Sequence, residues 1–205
     1  MRFFIIGANG RTGTELIDLA LARGHSVTAF VRSADKITRC HPQLQIAVGD
    51  PKSTDMLARV LPGHDAVFSA LGVRAREIFR PVSLLQECAA TTVAAMTRAG
   101  VDRLLLVSAA TLFPGGGLRF ALVRWLLAHQ IRDLLETEQI VTATPLQWTI
   151  VRPPKLDVGV SEQYRAQIGR LPDGAWAMSF RAVALFMLVA AEQRTHTREI
   201  VGLAQ

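Results

Sequence analysis

Apolar residues come in short unbroken blocks separated by stretches of helical spacing along nearly the whole chain. Residues 3–6, 26–31, 44–48, 66–70, 103–107 ("RLLLV") and 146–151 read as strands. Between them, residues 12–23 carry Leu16, Leu19 and Ala20 at helical spacing and stop at Gly24. Residues 54–61 form a shorter helix stopped by Pro62-Gly63, 82–99 a longer one ending at Gly100, and 119–141 another. Continuous rather than alternating apolar strands mark a parallel sheet covered by helices on both faces, so the fold class is a doubly wound α/β sheet. The last quarter is less regular. Residues 164–177 predict a hairpin turning at "LPDG", 180–193 a helix and 199–203 a final strand. No linker sets this quarter apart, so residues 1–205 read as one domain, with about 152–180 contributing a wall on the substrate side.

One junction carries chemistry. The first apolar run leads into Gly7-Ala8-Asn9-Gly10-Arg11-Thr12-Gly13 and then into a helical pattern. In a strand–turn–helix of this kind Gly7 allows the tight turn and Gly10 lets backbone approach a pyrophosphate. Gly13 lets helix and strand pack closely, and the helix N-terminus offers free N–H groups to phosphate. Glycine spacing alone is a weak signal; the strand before it and the helix after it make it a dinucleotide site. Arg11 and Thr12 stand where they reach phosphate.

The end of the second strand selects between cofactors. An NAD site places an Asp or Glu there for the ribose hydroxyl. Between Asp18 and Asp35 this chain has no acid, and "VTAFVRSADK" supplies Arg32 and Lys36 instead. A guanidinium clamps a phosphate with two parallel bonds and an ammonium adds a point charge, so the expected cofactor is NADP(H).

Composition narrows the rest. Half of the 205 residues are hydrophobic and a fifth charged, as in a globular protein with an adequate core. Net charge is +6, yet arginines are scattered, lysines number three and aromatics are not interleaved with them, so nucleic-acid binding is not expected. Cys40 and Cys88 lie far apart without a CxxC, and both are expected to be buried, unbridged and metal-free. With no leader pattern at Met1-Arg2 and no apolar run long enough to span a bilayer, a cytoplasmic protein, monomer or homodimer, is expected.

"GANGRTG", "VTAFVRSADKI", "VGD", "DAVFSALGVR", "AGVDRLLLVSAA" and "LQWTIVRPPKL" occur in that order. In combination they resemble the atypical short-chain dehydrogenase/reductases, the NAD(P)H-binding group similar to biliverdin reductase B (flavin reductase) and to NmrA-like proteins. The resemblance implies a Rossmann sheet in the order 3-2-1-4-5-6 and a small C-terminal substrate-side extension. It implies Asp50 beside the adenine, Leu71 and Gly72 along the cofactor, Ser108 facing the nicotinamide, and Pro153 and Pro154 as the wall behind it. The Tyr–Lys pair of the best-known branch is absent, since the single tyrosine, Tyr164, has Ile168 four residues on. Thr91 stands where the biliverdin reductase B-like pattern has an asparagine. Ser108 is the expected catalytic residue, its hydroxyl donating to a substrate carbonyl or ring nitrogen that gains charge as hydride arrives. With no general acid evident near it, the expected substrate accepts hydride and draws its proton from water: a flavin-like, quinone-like or related conjugated small-molecule acceptor. Arg74, Arg76 and Arg80 are expected to attract an anionic substrate, and the glycine-rich "TLFPGGGLRF" to form a movable loop. The alternative is a non-catalytic NADP(H)-binding sensor of NmrA type.

Overall fold

In the computed structural model residues 1–72, 83–114 and 126–205 are described. Ten strands run in chain order: β1 Arg2–Ile6, β2 Ser26–Val31, β3 Leu44–Val48, β4 Ala66–Ser69, β5 Arg103–Val107, β6 Gln147–Arg152, β7 Lys155–Asp157, β8 Arg165–Ile168, β9 Ala177–Ser179 and β10 Glu199–Ala204. Among the described residues five α-helices accompany them: α1 Arg11–Ala22, α2 Thr54–Val60, α3 Leu84–Ala99, α4 Ala128–Thr142 and α5 Phe180–Glu192. Eight strands make the main sheet in the order 3-2-1-4-5-6-10-8, with β7 and β9 as a separate parallel pair.

Strands β1 to β6 and β10 are all parallel, and β8 closes the edge antiparallel to β10. The run "FFII" shows why. Phe3 and Ile5 enter one core with α1 and α5, while Phe4 and Ile6 enter a second core with residues of α2 and α3. Both faces of the strand are therefore apolar, and each fully buried side chain contributes about 1.5–3 kcal/mol. Phe3 meets Phe68 edge to face at 5.2 Å, which ties β1 to β4.

Arg103, at the base of β5, is 1% exposed and meets no carboxylate among the described residues. Its guanidinium donates to the carbonyls of Gln147 (2.9 Å), Ala190 (3.1 Å) and Thr195 (2.8 Å), stapling the sheet to the C-terminal end of α5. A cation suits that negative helix end. Burial still lowers its pKa to about 10.

Two expectations change. The segment 164–177 is not a hairpin: β8 pairs with β10 and β9 pairs with β7. The turn itself forms, with Ala175 N–H donating to the Pro172 carbonyl at 3.3 Å, but its flanks go to different sheets. The open edge of β10 offers β8 a ladder, and Gly202 lets the chain after β8 pass close, since a Cβ there would stand 2.1 Å from the Arg170 carbonyl oxygen. Cys88 is buried and free as expected, but Cys40 is exposed because it lies on the surface connection into β3. The expected helix 119–141 is described from residue 126 onward. Arg74, Arg76, Arg80 and Trp125 lie outside the described residues.

Candidate functional site

The glycine turn sits where β1 gives way to α1. Gly7 has φ +79°, and a Cβ on it would stand 2.7 Å from the Ala70 carbonyl oxygen at the end of β4. A Cβ on Gly13 would stand 2.3 Å from the Gly7 carbonyl oxygen, so only glycine lets α1 come this close to the strand. Gly10 N–H closes the turn onto the Gly7 carbonyl at 2.9 Å. No side chain caps the α1 N-terminus and no acid occupies its first turn, which leaves the positive helix end available to an anion. Thr12 is buried beneath the turn, and the Arg11 guanidinium lies 5.3 Å from the centre of the Phe180 ring.

A cleft of about 530 Å³ opens beside this turn. Gly7, Asn9, Gly10, Arg32, Asp50, Leu71 and Gly72 all line it, so seven of the residues singled out in the sequence converge. Lys36 is exposed in a single 3-10 turn, Ala34–Lys36, and does not line the cleft; Lys52 does. Asp50 also orders its own loop, accepting from Lys52 N–H at 3.0 Å. Lys52 reaches Glu87 at 2.6 Å, which raises the lysine pKa and lowers that of the carboxylate through their hydrogen bond. Thr91 supplies a polar tie of its own, donating to the Pro51 carbonyl at 2.6 Å.

Further along the sheet, Ser108 follows β5 and is 7% exposed. Its hydroxyl donates to Glu138 Oε1 at 2.5 Å. Glu138 is clasped by Arg152, with Nε at 3.0 Å from Oε1 and Nη2 at 2.5 Å from Oε2. The Arg152 guanidinium in turn stacks over the Phe113 ring at 4.7 Å. An acid therefore does stand beside Ser108. It comes from α4, thirty residues away, and the serine hydrogen is directed to it rather than outward. Asp133, one turn or so earlier on α4, accepts from Leu85 N–H (3.1 Å) and Gln86 N–H (3.0 Å) and so caps α3 from a neighbouring helix. Burial raises its pKa against those two hydrogen bonds.

Over the ends of β5 and β6 lies a second cavity of about 490 Å³, drawn from four stretches: 109–111, 127–134, 153–155 and 171–176. Pro153 and Pro154 line it, and the Pro153 carbonyl accepts from Ala110 N–H at 2.9 Å. Ile131, Leu134 and Trp176 make it apolar; Lys155 is the one charged residue among the described residues that line it. Ser108 is not among its lining residues. Lys52, Lys155 and Trp176 are residues that the sequence did not single out. Adjacency to "RPP" is the only signal that pointed toward Lys155.

A glycine turn on an uncapped helix, with a cleft across the carboxyl ends of parallel strands, defines a dinucleotide-binding Rossmann domain. The chain belongs to the NAD(P)H-binding family, which matches residues 7–194. Its cofactor class is therefore a nicotinamide dinucleotide, and its relatives are oxidoreductase-like. Among them, an uncharacterised chloroplastic protein of Arabidopsis thaliana is 32% identical over 164 residues, 74% of this chain and 58% of that one. A 3β-hydroxysteroid dehydrogenase/Δ5→4-isomerase of Mycobacterium tuberculosis is 30% identical over 124 residues, covering 56% of this chain and 33% of that one. The chain thus spans less than two thirds of the length of these relatives. In fold it is similar to an oxidoreductase from Lactococcus lactis (TM-score 0.83, 20% identity, 100% of this chain and 91% of that one). It is also similar to a short-chain dehydrogenase/reductase from Veillonella parvula in complex with NADP (TM-score 0.76, 20% identity, 100% and 94%). Among the described residues no helix is long and apolar enough to cross a membrane, and no cluster of His, Cys, Asp and Glu is set to hold a metal.

Proposed function

We propose that the chain is an NADPH-dependent reductase that passes hydride to a flat conjugated acceptor, flavin-like or quinone-like, seated in the apolar cavity. The observation that carries this reading is the cavity itself: about 490 Å³, within the ordinary range of small-molecule sites, over the same strand ends that carry the glycine-turn cleft. When bound, the reduced nicotinamide supplies the hydride. The first turn of α1 holds the pyrophosphate. Arg32 and Lys52 meet the 2′-phosphate from the cleft, and Lys36 adds a longer-range positive field. Pro153 is a rigid back wall that orients the ring toward the acceptor. Ser108 acts as a positioning residue: its bond to Glu138, and that residue's clasp on Arg152, fix the tips of β5 and β6 relative to each other. No acid is among the described residues that line the cavity, and in this reading the proton that follows hydride comes from water at its mouth.

Mixing the protein with NADPH and a panel of flavins, quinones and redox dyes, while following absorbance of the reduced nicotinamide, tests this. Turnover with at least one acceptor is expected. Tight NADPH binding without turnover on any of them would instead favour a non-catalytic sensor. The commitment of the Ser108 hydroxyl to Glu138 is the observation on that side.

A further inference from the structure

Trp176 and Lys155 stand together on the C-terminal extension. Trp176 directly precedes β9, whose first residue, Ala177, pairs with Lys155 in β7, so the two residues lie at the same end of that short strand pair. Both line the apolar cavity. Trp176 is 75% exposed, although an indole gains by leaving water, and a large apolar group left open beside a cavity marks a binding surface. Among the described residues Lys155 enters no salt bridge, and none that lines the cavity is Asp or Glu. The other polar side chains there are Thr111 and Gln130, both neutral. The described lining thus offers a ring face, a cation and hydrocarbon, with no carboxylate among them to repel an anion.

We propose that this corner is a recognition subsite in which the Trp176 indole stacks on a flat aromatic ring and the Lys155 ammonium meets an acidic substituent on that ring. The ligand class is a conjugated ring system bearing a carboxylate, sulfonate or phosphate. The subsite rests on the reductase reading only for the statement that this ligand is reduced; recognition itself needs no turnover.

Calorimetric titration of the whole chain, saturated with NADP⁺ so that no hydride is available, separates the two ideas. The probes are anthraquinone-2-sulfonate and its uncharged 2-hydroxymethyl counterpart. The sulfonate is expected to bind about fivefold tighter, as one partly solvated ion pair allows, with the advantage shrinking as salt is added. Lys155→Met should abolish the preference and leave affinity for the neutral ring unchanged. Trp176→Leu should weaken both ligands about tenfold, and Trp176→Phe should restore most of the loss. Equal affinity for the two probes, or a preference that survives Lys155→Met, overturns the subsite. So does a change of molecular mass in light scattering on Trp176→Leu with both affinities intact, which would assign the indole to a contact between copies. If the binding pattern holds but neither these probes nor any acceptor of the panel consumes NADPH, the subsite stands and the reductase reading falls.

Discussion

The cleft beside β1 and the cavity above β5 and β6 occupy the same rim of the sheet but are made of different material. In the cleft, backbone does the shaping: Gly7 at φ +79°, Gly13 packed against the Gly7 carbonyl, and a helix end left uncapped. Gly7, Asn9 and Gly10 of that turn line it beside the strand-end stretches 30–32, 50–52 and 70–72. In the cavity, side chains from four distant stretches meet, and two of those stretches belong to the extension beyond β6. A backbone-built site tolerates little change and suits one invariant ligand; a side-chain-built site can be re-cut for another acceptor without disturbing the fold. That difference explains how a nicotinamide-binding frame can serve different substrates in related proteins.

The largest effect should come where the two parts are bolted together. Glu138→Ala leaves the Arg152 guanidinium buried without its carboxylate, and is expected to lower stability by about 3–5 kcal/mol in urea denaturation. A loss too small to measure would show that the Ser108–Glu138–Arg152 network does not hold the strand tips. Next, Gly13→Ala drives a methyl into the Gly7 carbonyl, which is backbone and cannot rotate away. It should destabilise by about 1–3 kcal/mol and abolish NADPH binding, measured by thermal melting and nicotinamide fluorescence. A bound cofactor of normal affinity would remove the helix-end site from the account.

Arg32→Ala is gentler and more selective: NADPH affinity should fall about tenfold while NADH affinity holds, and Lys36→Ala should matter less than Lys52→Ala. Equal losses for both nucleotides would contradict a 2′-phosphate clamp. The smallest effect lies at the opposite end of the strands. His64 is partly buried, bonded to Thr28 Oγ1 at 2.8 Å and to the Leu61 carbonyl at 2.9 Å, and burial lowers its pKa below the ordinary 6.5. The unfolded chain therefore takes that proton more readily than the folded one. Its contribution is present above the ordinary value and lost as pH falls through the lowered one. His64→Gln should flatten that part of the pH profile of the denaturation midpoint and leave both ligand affinities alone. A change in NADPH binding would link the base of the sheet to its rim.

What was legible in the sequence follows the same division. Strands buried on both faces announce themselves as apolar runs, so the order of elements from β1 to β6 could be read directly, as could the glycine turn, because its parts are contiguous. Arg32 and Asp50 were legible because each follows a readable strand. Long-range pairing was not: β8 takes its partner from β10, some thirty residues on, and nothing local to residues 164–177 distinguishes that from a hairpin. Glu138 looked like one of several polar residues on a helix until the fold set it against Ser108 and Arg152. Cys40 looked like a small apolar residue and is a surface one. Trp176 gave no sign of its role, since exposure is a property of the folded chain.

A crystal structure of the protein soaked with NADP⁺ tests the central claim most directly. The account predicts pyrophosphate oxygens on the first-turn N–H groups of α1, the 2′-phosphate on Arg32, and the nicotinamide ring against Pro153 with its reactive face toward the apolar cavity. A nucleotide bound with its adenine in that cavity, or density elsewhere with the glycine turn bare, would contradict it.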